Sequence, residues 1–455
     1  MRKSPLARLA TALEGRFATR RRPARAARRA LPALEALQVR AVPATLFGDV
    51  LFIYGTTGDD SVSVVERSAV VISGKTAAAP SSVVPGSAIR VTEDGRVQDF
   101  TMPSGGLVFF LGYEGRDVFT NDTAIAASAD GGPGDDVLRG GSGADVIRGG
   151  VGNDSIDGSY GEDHLYGDGG DDVIYGGFIR PDSILNHIDG GDGRDTLIGA
   201  LGPDEIAGGA GDDVISGGHG SDQLRGGEGN DSIDGGYGVD YLFGDAGVDV
   251  LTAGLDAGYN FLDGGADDDR LTGGYGFDYM VGNAGKDVMD GLAGNDLMYG
   301  GDGTDYMYGG DGHDSLLGQD GTDALYGGAG NDFVYGGGGI DRVSGDGGDD
   351  LVFGGDGHDF LYGGDGADIL CGGYAVFDEA TGVALSQVDD DDDDVIRGGA
   401  GADIVYIGDI KIALAWVKDS FEDETDQDHV EFAGYGNFPA PLPANRRRWG
   451  HLFGT

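Results

Sequence analysis

The chain has 455 residues, 92 of them Gly, and a formal net charge of −49. So acidic a polymer repels nucleic-acid backbones and anionic membrane surfaces and attracts cations. The single cysteine, Cys371, excludes an intrachain disulfide and a cysteine zinc cage, and no apolar run approaches the roughly 18 residues of a membrane-spanning helix.

Residues 1–45 form a basic, Ala-rich leader that reads as disordered or targeting. It has the positive charge of a targeting segment without the continuous apolar stretch of a secretory signal. Its Leu34–Ala44 stretch, LEALQVRAVPA, resembles the N-termini of many planctomycete exported proteins. Residues 46–130 are rich in β-branched side chains (LFGDVLFIYG, SVSVVERSAVVIS, GGLVFFLGY) and predict short strands. Ala69–Thr76, AVVISGKT, meets a loose phosphate-loop pattern. Its variable positions are Val-Val-Ile-Ser, which reads as a strand and not as a Gly-rich nest, so nucleotide binding is not expected.

A nine-residue period occupies 131–406. Number one repeat from one to nine. Five repeats run from Gly131 to Tyr175, with position six filled by Asp136, Asp145, Asp154, Asp163 and Asp172. An insertion follows at 178–189, predicted as a loop or edge excursion. Seven more run from Gly190 to Thr252, with Asp195, Asp204, Asp213, Asp222, Asp231, Asp240 and Asp249. Ala253–Asp263 is a repeat with two extra residues and Asn260 in the Asp place. Twelve uninterrupted repeats fill Gly264–Cys371, with Asp269, Asp278, Asp287, Asp296, Asp305, Asp314, Asp323, Asp332, Asp341, Asp350, Asp359 and Asp368. A second insertion at 374–394 ends in six consecutive Asp, Asp389–Asp394, read as a solvated loop or an extra cation patch. A last repeat, Gly398–Tyr406, carries Asp403. Position eight is Leu, Ile, Val or Met throughout. Gly55–Ser63 and Gly112–Thr120 are degenerate copies, so 46–130 is read as a β-rich N-terminal cap.

From Gly300 the repeats run GGDGTDYMY, GGDGHDSLL, GQDGTDALY, GGAGNDFVY. This nonapeptide is similar to the haemolysin-type calcium-binding repeat of the RTX (repeats-in-toxin) family. The resemblance implies an all-β, calcium-stabilised parallel β-roll, a β-solenoid, in an exported protein that works outside the cell or at its surface. Residues 407–455 loosely resemble the C-terminal secretion-signal regions of exported RTX proteins and are read as a C-terminal cap or such a tail. Their basic Arg446–Arg448 departs from the acidic, aliphatic ending expected there.

Elementary chemistry leads the same way. Gly in the turn segment, positions one to six, suits backbone with positive φ. Strand side chains alternate, so position eight points inward between outward positions seven and nine. Two repeats close one rung, and rungs stack about 4.8 Å apart, so about thirteen rungs make a rod on the order of 60 Å. One buried aliphatic side chain per nine residues does not offset an ordering cost of roughly 1–2 kcal/mol per residue. The turns need another source of stability. Calcium takes six to eight oxygens from carboxylates and carbonyls, and each turn offers both. The position-six Asp recur on one edge every eighteen residues, so Asp305 is predicted over Asp323 and Asp314 over Asp332. Counting stacked pairs only within uninterrupted runs gives about 18 ions. Zinc would want His or Cys, and magnesium a tight octahedron that keeps its waters.

Aromatic residues recur at position nine (Tyr299, Tyr308, Tyr326, Tyr335, Phe353, Tyr362). They form either a cross-strand ladder or a flat sugar-binding stripe. No HExxH and no GxSxG motif occurs, and the segments outside the array are small for a catalytic domain. The expectation is a monomeric, non-enzymatic protein whose partners are calcium ions and a cell-surface or glycan ligand. The alternatives are an adhesin, or the repeat module of a toxin or hydrolase.

Overall fold

Position eight decides the architecture. In the structure, a computed structural model, this column of side chains runs from Leu138 to Ile396 with no member more than 4% exposed. The structure describes residues 44–422 apart from 48, 67–85, 94–95, 104, 178–184, 378–383, 389–394, 408–409 and 416–420. The leader up to residue 43, Ala69–Thr76, Asp389–Asp394 and the tail beyond 422 thus lie outside the described residues.

Among the described residues every regular element is a strand. Each strand of the array pairs in parallel with the strand after next. Tyr306–Gly312 pairs with Ala324–Ala329, matching Met307 to Leu325 and Tyr308 to Tyr326, eighteen residues on. The intervening strand, Ser315–Gly321, lies on the opposite face and pairs with Phe333–Gly339. The fold is therefore a parallel β-solenoid of two facing sheets. Ile147, Leu165, Leu316 and Val334 line one inner face, and Ile156, Leu197, Met307 and Leu325 line the other, in one continuous core. Strand pairing does not stop at position nine. It continues through the glycines of the next turn, where Gly310 pairs with Gly328, so the turns belong to the ladder.

Glycine has two separate duties in these turns. At most position-two and many position-four residues φ is positive, as at Gly301 (φ 123) and Gly303 (φ 154). Position two also accepts other residues in the left-handed region, among them Asn283, Leu292 and Gln319. Position one is not a positive-φ site. It is glycine for the steric reason described below.

The insertions do not interrupt the stacking, contrary to the expectation from sequence. Val173–Tyr175 pairs directly with Thr196–Leu201, and His164–Gly169 with Asn186–Asp192, across the 178–184 excursion. Phe360–Gly366 pairs directly with the strand Val395–Ile407 across 374–394. A ladder requires only that strands keep register, and an excursion leaving from a turn does not disturb that. The first excursion also hides a repeat: Asn186 takes position six and the buried Ile188 position eight. In the second, Tyr374–Phe377 and Ala384–Val388 form an antiparallel hairpin beside the strand Leu351–Asp356. Phe353 and Cys371 are buried there, packed with Phe333, Tyr335 and Ile404.

Antiparallel strands close both ends. Thr45–Phe47 covers Val50–Tyr54 on one sheet, and the hairpin Gly86–Glu93/Arg96–Pro103 covers Ser61–Glu66 on the other. At the far end Ile410–Ala415 and Phe421–Glu422 run antiparallel to Val395–Ile407. The first rungs also bury more apolar surface. Leu51, Val108 and Ala127 fill position six on one sheet, beneath Asp145, while Ile53, Phe110 and Ala129 fill position eight.

Candidate metal centres

Each turn carries one carboxylate, and the ladder draws it inward. Asp305 is fully buried. Its Oδ1 accepts the backbone N–H of Asp287, one rung back, at 2.9 Å, and its own N–H donates to Oδ1 of Asp323 at 2.9 Å. The predicted stacking of Asp305 on Asp323 and of Asp314 on Asp332 is therefore a bonded chain. Oδ1 fixes the register, and Oδ2 is left over.

That second oxygen defines the site. In Asp287, Asp296, Asp305, Asp314, Asp323 and Asp332 it is buried with no hydrogen-bond partner. It lies against the position-one glycine of its own turn. A Cβ on Gly300 would sit 2.5 Å from Asp305 Oδ2 and 2.7 Å from the carbonyl oxygen of Gly318 on the next rung. Gly291 and Gly327 face the same pair of atom types from Asp296 and Gly309 and from Asp332 and Gly345. Position one is glycine because a side chain would fill this space. Asp Oδ2, which has no donor, and a main-chain carbonyl oxygen converge there, an arrangement stable only beside a cation or a proton.

Electrostatics agree. Burial pushes the Asp323 carboxyl from 3.8 up to about 7; the Asp305 N–H opposes the shift, and the charges of Asp341 and Asp305 add to it. Asp287 and Asp332 reach about 7, and Asp163, Asp222, Asp269 and Asp296 about 8, in each case chiefly through burial. Among the described residues no three His, Cys, Asp or Glu side chains gather as one metal-binding group. A cation here would take a carboxylate oxygen and complete its shell with backbone carbonyls. Such an all-oxygen, carbonyl-rich set fits calcium and does not fit zinc.

The predicted residues fall into two columns, one per edge. One edge carries Asp145, Asp163, Asp204, Asp222, Asp240, Asp278, Asp296, Asp314, Asp332, Asp350 and Asp368, with Asn186 and Asn260 in line. The other carries Asp136, Asp154, Asp172, Asp195, Asp213, Asp231, Asp249, Asp269, Asp287, Asp305, Asp323, Asp341 and Asp359 without a gap. Asp403 follows Asp368 in register through the bond from the Ile404 N–H to the Asp368 carbonyl at 2.7 Å, and its side chain lies outside the described ones.

Two turns differ. Asp145 Oδ2 accepts the Gly141 N–H at 2.8 Å, and Asp278 Oδ2 accepts the Gly274 N–H at 2.6 Å. These carboxylates are satisfied within their own turns. Each stands over a rung without Asp, Ala127 and Asn260 respectively. Asp60 and Asp117 belong to the degenerate repeats Gly55–Ser63 and Gly112–Thr120, and Asn186 falls within the 178–189 insertion, so none of the three is among the ligands expected from sequence. Gly176 and Gly177 open the Asn186 turn, where a Cβ on Gly176 would meet Asn186 Nδ2 and the Gly199 carbonyl oxygen, but the 178–184 excursion separates them from Asn186 in sequence. The column through Asp136 extends back to both Asp117 and Asp60, by N–H to Oδ1 bonds of 2.7 and 2.8 Å.

Fold and turn chemistry together define a class: a parallel β-solenoid whose edges are stacked, oxygen-lined turns. Comparison with protein families gives the class its name. The model of the RTX calcium-binding nonapeptide repeat matches residues 130–159, 148–178, 189–224, 216–251, 256–280, 263–298, 281–316, 299–334, 308–343, 335–370 and 388–409, more than half of the chain. The chain belongs to the RTX calcium-binding nonapeptide-repeat family. No curated protein matches it significantly.

Proposed function

We propose that this chain is an exported, monomeric calcium-binding roll whose folding depends on calcium, and that it serves a structural or surface-interaction role without catalysis of its own. The observation that carries the reading is the line of buried Oδ2 atoms without donors over glycine cradles, exemplified by Asp305 over Gly300. The site residues are the position-six Asp of both columns with open Oδ2 atoms. When bound, calcium supplies the positive charge that these turns lack. The chain's residues do the rest: position-one glycine leaves the space, Asp Oδ1 fixes the rung, and turn carbonyls face inward.

Because the stacking reaches back into the cap and passes both the 178–184 excursion and the Ala253–Asp263 repeat, more Asp–Asp steps exist than runs of sequence suggest. The hydrogen-bonded steps number fourteen on the continuous edge and eight on the other. Asp60, Asp145 and Asp278 have Oδ2 engaged within their own turns, so the capacity is about 19 ions, one for each remaining step. Weak, multiple sites suit extracellular calcium, which supports action outside the cell. Circular dichroism in chelator and after calcium addition tests the reading, with calorimetric titration in parallel. A β spectrum unchanged between the two conditions would refute it.

The adhesin alternative rests on the aromatic column. Tyr308 and Tyr326 stack at 5.1 Å with planes 6° apart, and Tyr308 is exposed. Arg342 lies over both Tyr326 and Tyr362, and Arg397 over Tyr362. Rings covered by guanidinium groups act as a stabilising ladder more readily than as an open sugar platform.

A further inference from the structure

The family match begins at residue 130, yet the chemistry of the turns begins earlier on one edge. Resting on the calcium reading above, we infer that the turn Gly112–Asp117 in the cap is a further site for a hard divalent cation, and that it joins the cap to the roll. Asp117 is fully buried, and its Oδ2 has no hydrogen-bond partner. A Cβ on Gly112 would collide with that Oδ2 and with the carbonyl oxygen of Gly131 on the next rung, the same two atom types that meet at Gly300. The backbone follows the regular turn, with positive φ at position two (Tyr113, φ 77) and position four (Gly115, φ 137). Oδ1 is engaged by the Asp60 N–H at 2.8 Å, as in every regular rung.

The neighbouring turns of the cap lack this opening. Asp60 Oδ2 is taken by the N–H of Thr56 in its own turn. On the other edge the turn that precedes Ala127 satisfies itself. Asn121 Nδ2 donates to the Ile125 carbonyl at 2.8 Å, Thr123 Oγ1 to Asn121 Oδ1 at 2.7 Å, and the Ile125 N–H to Thr123 Oγ1 at 3.1 Å. Among its described residues the cap thus presents one open buried carboxylate, on the edge where the Asp column is unbroken. Around it the cap buries Leu51, Ile53, Val62, Val64, Val108, Phe110 and Phe119, two apolar side chains on each of three strands where an array strand has one. The cap therefore has apolar cohesion of its own, and the cation at Asp117 couples it to the metal-dependent roll at Asp136.

The test is amide hydrogen exchange on the full chain, in chelator and in millimolar calcium, for wild type and Asp117→Asn. Asparagine keeps the Oδ1 acceptor, as Asn186 and Asn260 do in this fold, so the variant removes charge without removing the rung bond. Exchange across 112–119 should slow at least tenfold with calcium in the wild type. Asp117→Asn should abolish that change while 300–340 keeps it. A second readout uses Tyr113→Trp with terbium in place of calcium. Its sensitised emission should exceed the wild-type signal, and adding Asp117→Asn should return it to that level. Calcium protection at 300–340 but none at 112–119, or protection and emission indifferent to Asp117→Asn, overturns this site alone. No calcium response in either region overturns the underlying reading as well.

Discussion

Asp323→Asn separates the two jobs of one carboxylate. The amide oxygen still accepts the Asp305 N–H, bonded at 2.9 Å in the wild type, and the charged oxygen over Gly318 is lost. A carboxyl held at about 7 against 3.8 in the unfolded chain costs the metal-free fold about 4 kcal/mol at neutral pH, or about 2 kcal/mol with solvent screening in the turn. Removing the charge should therefore stabilise the metal-free roll around this rung by about 2 kcal/mol. It should also weaken the two calcium sites shared with Asp305 and Asp341. Asp323→Ala removes the acceptor too and strands a buried N–H, a loss of about 1–3 kcal/mol. The assay is urea unfolding followed by circular dichroism in chelator and in calcium, with calorimetric titration of each variant. Asn should raise the midpoint in chelator relative to Ala, and both should lower calcium cooperativity. If Asn destabilises the chelated chain as much as Ala does, the division of labour between Oδ1 and Oδ2 is wrong. If neither changes the titration, the eighteen-residue pairing carries no metal.

Three further outcomes follow from the same geometry. Without calcium, Asp carboxyls at about 6 to 8 favour the folded state below about pH 4, where folded and unfolded chains are both protonated, and this stability is lost as pH rises through 7; the chelated chain should gain β signal on acidification, and a chelated chain with more β signal at pH 7 than at pH 4 would contradict this. Gly300→Ala puts a methyl group 2.5 Å from Asp305 Oδ2 and 2.7 Å from the Gly318 carbonyl, so it should cost about 1–3 kcal/mol and remove calcium at that turn, whereas Gln319→Gly should leave calcium binding intact; equal calcium titrations for the two variants would discount the cradle. Changing Tyr308 and Tyr326 together to Ser should cost about 0.5–1.5 kcal/mol for the lost stack and leave glycan-array binding as it was; loss of glycan binding would favour the adhesin.

The nine-residue period made the parallel solenoid, its aliphatic core and its stacked Asp legible, because pleat and ladder tie each position to one direction. Asn186 was illegible because the excursion separates it from Gly176 and Gly177, which open its turn, so the nine-residue spacing is lost and the pairing of Ile188 with Leu165 reveals the register. The closed carboxylates of Asp145 and Asp278 were equally invisible. They depend on the position-two N–H of their own turns, Gly141 and Gly274, reaching Oδ2, which the repeat composition does not display.

The antiparallel strands at the two ends carry a consequence for growth. A parallel ladder is a polymerisation front: each exposed rung is a template for another, from this chain or a second one. Thr45–Phe47 and Gly86–Glu93 at one end, and Ile410–Ala415 and Phe421–Glu422 at the other, act as chain stoppers. Rungs can be added or deleted between the stoppers without altering either end. Gene duplication would thus lengthen this roll and raise its ionic capacity while the antiparallel strands at both ends stay unchanged.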